Sequence, residues 1–109
     1  AVYIALPNHL HLEYTQRAAD KGIHILCEKP MAVTEEECEK MTRAAKENNV
    51  KLMIAYRLHF DKANLQAIET IKSGKIGEPR IFNSVFSQQV AEDNVRMEDI
   101  SIGGGTVYD

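Results

Sequence analysis

A chain of 109 residues that is 44% hydrophobic and 27% charged, with 13 basic against 16 acidic residues and a net charge of −3, has the make-up of a globular piece with its own core. The acidic balance and the scattered basic residues exclude the basic stripe that a nucleic-acid backbone requires, and no apolar run approaches the ~20 residues that cross a bilayer. Two cysteines, Cys27 and Cys38, and four histidines, none at zinc-ligand spacing, point to reduced thiols and no metal.

The chain opens in an apolar run, Val2-Tyr3-Ile4-Ala5-Leu6, that reads as a strand ending in Pro7-Asn8-His9. A helix is expected over about 9–21, capped by Asn8, stopped by Gly22, and turning Leu10, Tyr14 and Ala18 inward. The next apolar run, Ile23-His24-Ile25-Leu26, reads as a second strand with His24 as a satisfied core histidine, and it leads into Cys27-Glu28-Lys29-Pro30. Pro30 fixes its own φ and disfavours the helical region for Lys29, which keeps the Lys in the turn. Taken alone, a Glu-Lys-Pro triplet is usually a solvated strand-to-helix turn.

Thr34 followed by Glu37 forms a capping box that opens a second helix, which buries Cys38, Met41 and Ala45 and ends near Asn48-Asn49. The acidic run 35–39 complements the helix dipole and reads as a solvated face. A third strand, Lys51-Leu52-Met53-Ile54-Ala55, ends in Tyr56-Arg57-Leu58-His59. A third helix over about 62–72 carries the stripe Leu65, Ile68 and Ile71 and is closed by Ser73-Gly74. Gly77-Glu78-Pro79 then leads into 80–87, which has strand composition and is expected to begin a second domain. Residues 88–102 read as a long polar loop.

Strands separated by helices of this length predict a parallel sheet with right-handed crossovers. The three polar strand ends then share the carboxyl edge, where open α/β sheets place their ligands.

Five segments in order carry a resemblance to a known family: Pro7-Asn8-x-x-His11, Cys27-Glu28-Lys29-Pro30-Met31-Ala32, Lys51-Leu52-Met53-Ile54-Ala55-Tyr56-Arg57-x-His59, Gly74-Lys75-Ile76-Gly77, and the closing Gly103-Gly104-Gly105-Thr106-Val107-Tyr108-Asp109. Together they resemble the Gfo/Idh/MocA oxidoreductases, with wording nearest the glucose-fructose oxidoreductase branch. The resemblance implies an α/β fold. Residues 1–76 would be the C-terminal half of a Rossmann-type dinucleotide-binding domain whose glycine-rich first half is missing, and 77–109 the start of an α+β substrate domain. It implies NAD or NADP as cofactor and hydride transfer to or from a sugar, polyol or diol. The expected partner is therefore a small carbohydrate or polyol, with no nucleic acid and no membrane, in a full-length homo-oligomer. The expected location is the cytoplasm, with export left open because the N-terminus is missing.

Residue by residue, the resemblance places Lys29 as a catalytic group beside the nicotinamide and the reacting hydroxyl. Asp109 would orient a His or Tyr base four residues further on, outside this chain. Asn8 and His11 fall on the ribose and pyrophosphate side of the cofactor, Glu28 at the nicotinamide end, and Arg57 beside them. Arg96 matches the Arg of a Trp-Arg pair that here reads Val95-Arg96. Two alternatives stand beside the enzyme: a dinucleotide-binding sensor or regulator of the same fold, and a fragment that is inert when isolated.

Overall fold

Strands β1 (Val2–Ile4), β2 (Ile25–Cys27) and β3 (Leu52–Ile54) pair in parallel in the order β1-β2-β3, with Ile4, Cys27 and Ile54 in register. They belong to a computed structural model that describes residues 1–85, 87 and 89. Its contacts separate one unit, Ala1–Ala55, from a second that begins at Tyr56.

In the first unit, helices α1 (His11–Ala19) and α2 (Glu35–Glu47) pack on each other and cover one face of the sheet. Side chains alternate along each strand. Ile4, Ile25 and Cys27 therefore join Ala19, Ala32, Met41, Ala45 and Val50 in a continuous core. Tyr3, Leu26 and Met53, in register on the opposite face, are 55%, 37% and 49% exposed.

The strands are shorter than the apolar runs suggest, and β2 starts at Ile25. His24 consequently lies outside the core: it is exposed, and its Nδ1 accepts the Lys51 N–H at 3.1 Å. The expected core histidine is thus a surface residue that satisfies a backbone donor at the amino edge of the sheet.

The start of α1 also differs from expectation. Asn8 is buried within a 3-10 turn, Asn8–Leu10, and its side chain does not cap the helix. The buried stripe is His11, Thr15 and Ala19, one residue out of phase with Leu10, Tyr14 and Ala18. Small Thr15 and Ala19 bring the helix close to the sheet, while Tyr14 stays outside with the Arg17 guanidinium 5.0 Å from its ring centroid. Gly22, at φ 67°, closes α1 in the left-handed conformation that suits glycine, with Ile23 N–H bonding Ala18 O at 3.0 Å.

Helix α2 follows its sequence signals closely. Thr34 Oγ1 accepts the Glu37 N–H at 3.2 Å, while the Glu37 carboxylate accepts the Val33 N–H at 3.0 Å, one residue before the capping-box position. At the far end Asn49 takes φ 52° and Val50 N–H bonds Ala45 O at 2.9 Å, which completes a Schellman closure. Met41 and Ala45 are buried, and Cys38 is partly so. Glu36 pairs with Lys40 at 2.9 Å on the exposed side, as a solvated acidic face requires.

The second unit contains a 3-10 turn, Arg57–Phe60, and α3 (Lys62–Lys72), whose first turn is capped by Asp61 Oδ1 accepting from Ala63 and Asn64. The α3 stripe is exposed, with Leu65, Ile68 and Ile71 at 46%, 43% and 43%. No strand forms over 80–85, against expectation. A strand draws its hydrogen bonds from a neighbour, and no described segment pairs with this one. The expected loop at 88–102, the triple glycine, Arg96 and Asp109 lie outside the described residues.

Candidate functional site

The turn Glu28-Lys29-Pro30 leaves the carboxyl end of β2, the middle strand, and so stands at the centre of the edge where parallel α/β sheets hold ligands. The last rung of the sheet beneath it is Glu28 N–H to Ile4 O at 2.9 Å. Beyond that rung the ladder stops among the described residues, and side chains take over.

Glu28 supplies the first anchor. One carboxylate oxygen accepts the phenolic O–H of Tyr3 from the neighbouring strand, and the other accepts the Lys29 N–H at 3.1 Å. The Tyr3 hydrogen bond is the main reason that the Glu28 carboxyl is held below the usual carboxylate range. Partial burial opposes it, and the Lys29 N–H with the charges of Lys29 and His11 assists. The same bond, with the negative charge behind it, raises the Tyr3 phenol.

His11 supplies the second anchor. Its ring is 0% exposed. Nε2 lies 2.9 Å from Leu6 O, just past β1, and Nδ1 lies 2.8 Å from Pro30 O, just past β2. The Lys29–Pro30 peptide between these anchors is cis. Lys29 is half-buried.

Behind the turn, the Cys27 thiol is buried and pushed up to about 11, chiefly by that burial, with Thr15 opposing. The Thr15 hydroxyl acts at close range only, for its buried oxygen makes no hydrogen bond of ordinary geometry. A thiol so far from ionisation is inert packing, as the cysteine reading anticipates.

Of the residues marked out by sequence, Asn8, His11, Glu28 and Lys29 all lie in the first unit, on β1–α1 and on the turn after β2. Asn8 is buried, His11 and Glu28 bond to the chain itself, and Lys29 is the half-buried cation of the turn. Arg57 opens the 3-10 turn of the second unit and is exposed. Tyr3 was not among the candidates. Strand alternation could have found it, because Leu26 faces Tyr3 in register and Glu28, two residues on, returns to the same face.

Replacing Tyr3 by Phe removes one donor from Glu28 and is expected to raise its carboxyl toward the ordinary range. Because the folded value lies below the unfolded one, Glu28 stabilises the fold above the unfolded carboxylate range, and that contribution fades as pH falls through the folded value. Tyr3→Phe should therefore be less stable than wild type near neutrality, with the gap closing in acid. Carbon NMR titration of the carboxyl reads the shift directly, and an unmoved Glu28 would remove Tyr3 from the site.

Among the described residues no three His, Cys, Asp or Glu side chains gather to hold a metal ion, and no helix is long and apolar enough to cross a membrane.

Residues 1–56 match the model of an oxidoreductase family with an NAD-binding Rossmann fold, the Gfo/Idh/MocA group. The chain is 40% identical over 114 residues to the NADP-dependent D-xylose 1-dehydrogenase of Haloarcula marismortui, an alignment that covers 100% of this chain and 32% of that protein. Among solved structures, the aldose-aldose oxidoreductase of Caulobacter crescentus, complexed with glycerol, superposes with a TM-score of 0.65 at 48% identity, covering 67% of this chain and 22% of that one. An inositol dehydrogenase homologue from Azotobacter vinelandii, complexed with NADH and myo-inositol, gives a TM-score of 0.67 at 35% identity, covering 71% and 20%. The chain spans about a third of the length of the curated relatives it matches.

Proposed function

Because this chain belongs to the Gfo/Idh/MocA oxidoreductase family, with its NAD-binding Rossmann fold, we propose that the whole protein is an NAD(P)-dependent oxidoreductase acting on a sugar, polyol or diol. Hydride passes between the substrate's hydroxyl carbon and the nicotinamide. The observation that carries this reading is the anchored turn bearing Lys29 at the carboxyl end of the middle strand. The relatives named above, which include a xylose dehydrogenase and an aldose-aldose oxidoreductase, support a carbohydrate substrate.

The donor set fits a dinucleotide. A cation stands on the carboxyl edge of a parallel sheet, next to a buried His11 ring whose nitrogens face carbonyls of the chain. Bound there, NAD(P) supplies the hydride acceptor or donor. Asn8 and Arg57, with Arg96 outside the described residues, are the further proposed contacts.

Lys29 donates a hydrogen bond from its ammonium to the substrate oxygen. As hydride departs from the adjacent carbon in the oxidative direction, that cation stabilises the negative charge growing on the oxygen. Asp109 orients the base that removes the hydroxyl proton. Glu28 holds the Lys29 backbone and keeps a negative charge close to the ammonium. Residues 1–76 form part of the nucleotide domain in this reading, and 77–109 enter the substrate and oligomerisation domain.

The test is a spectrophotometric screen of the full-length protein against aldoses, polyols and diols with NAD and with NADP. Turnover of at least one of these with either cofactor is expected. Cofactor binding without turnover across the panel would replace the enzyme with a dinucleotide sensor of the same fold.

A further inference from the structure

We infer that His11 is a positioning residue for Lys29: by bonding the carbonyls of Leu6 and Pro30 at once, it fixes the turn from which the ammonium reaches the substrate. This rests on the role proposed for Lys29 above. It also departs from the expectation that His11 contacts the cofactor, since the ring is fully buried and both of its nitrogens face oxygens of the chain.

Among the described residues the sheet hydrogen bonds end at Glu28, and no ladder bond there places Lys29 or Pro30. The amino side of the turn is held by the Glu28 carboxylate on the Lys29 N–H. The carboxyl side is held by His11 on Pro30 O, at 2.8 Å. The ring is itself fixed, because it begins α1 and its other nitrogen is 2.9 Å from Leu6 O. The turn after β2 is thereby referenced to the end of β1. Carbonyls only accept, so the ring nitrogens are the donors in these contacts. A reacting group displaced by about 1 Å can lose on the order of 100-fold in rate, which is the scale of effect available to such a clasp.

The experiment is a double-mutant cycle on the full-length protein with its preferred substrate: wild type, His11→Phe, Lys29→Met and the pair. His11→Phe is expected to lower kcat at least ~10-fold with cofactor Kd within about twofold, and to lower kcat less than ~2-fold when Lys29→Met is already present. If His11→Phe does not fold, His11→Gln, whose amide offers two N–H donors from a single nitrogen, takes its place with an expected loss of ~3-fold or more and the same absence of effect beside Lys29→Met. Three results overturn the inference: a raised cofactor Kd with kcat retained, equal losses in both backgrounds, or no loss at all. If Lys29→Met leaves kcat intact, the proposed role of Lys29 falls first and the inference with it. Loss in Lys29→Met with additive His11 overturns the inference alone.

Discussion

Lys29→Met in the full-length protein is expected to reduce kcat/KM for the preferred sugar or polyol by at least ~100-fold, the scale of a positioned proton-handling or charge-stabilising group. Met preserves the unbranched chain and removes the ammonium. The bonds that hold the turn run through the backbone N–H of Lys29 and through Pro30 O, so the fold should survive the change. The loss should fall mainly on kcat, because the charge on the substrate oxygen develops in the transition state. Lys29→Arg should recover little, since a planar guanidinium on a longer arm cannot occupy the place of a compact ammonium. Steady-state kinetics at saturating cofactor decide the matter. A Lys29→Met variant within ~3-fold of wild type would move the chemistry to another residue.

Met41→Ala should be the most damaging single truncation in the first unit. Met41 is the largest of the fully buried side chains, and it lies where α2 meets the core that contains Ile4, Ile25 and Cys27. Large-to-small changes at such positions cost about 2–5 kcal/mol, the lost transfer energy plus the cavity left behind. Urea denaturation of the variant beside exposed Arg43→Ala, expected within ~0.5 kcal/mol of wild type, separates packing from helix propensity. A loss below ~1 kcal/mol would mean that α2 settles into the vacated space. It would also mean that the contact between helices and sheet is looser than the buried cluster indicates.

Local signals made most of this architecture legible. The three apolar runs with polar ends gave a parallel sheet. Thr34 marked the start of α2, and Ser73-Gly74 the end of α3. What escaped were features decided at a distance. The inner face of α1 follows from two carbonyls, on Leu6 and Pro30, that give a buried His11 its partners, and a count of apolar residues weighs His11 and Thr15 as outward. The Tyr3–Glu28 bond joins neighbouring strands, and its donor sits in a run read only for hydrophobicity. The segment 80–85 shows the converse error, because strand composition cannot provide the partner that a strand needs.

The clasp at His11 also bears on how substitution data from this protein are to be interpreted. Its two acceptors are main-chain oxygens, so exchanging the side chain of Leu6 leaves the contact chemically intact. Position 11 would then register as sensitive in a saturation scan while its partner at position 6 registers as tolerant. Covariation between the two columns of an alignment would be silent for the same reason. Inserting or deleting a residue between Leu6 and His11, which alters the reach and not the chemistry, is the perturbation to which such a contact is exposed.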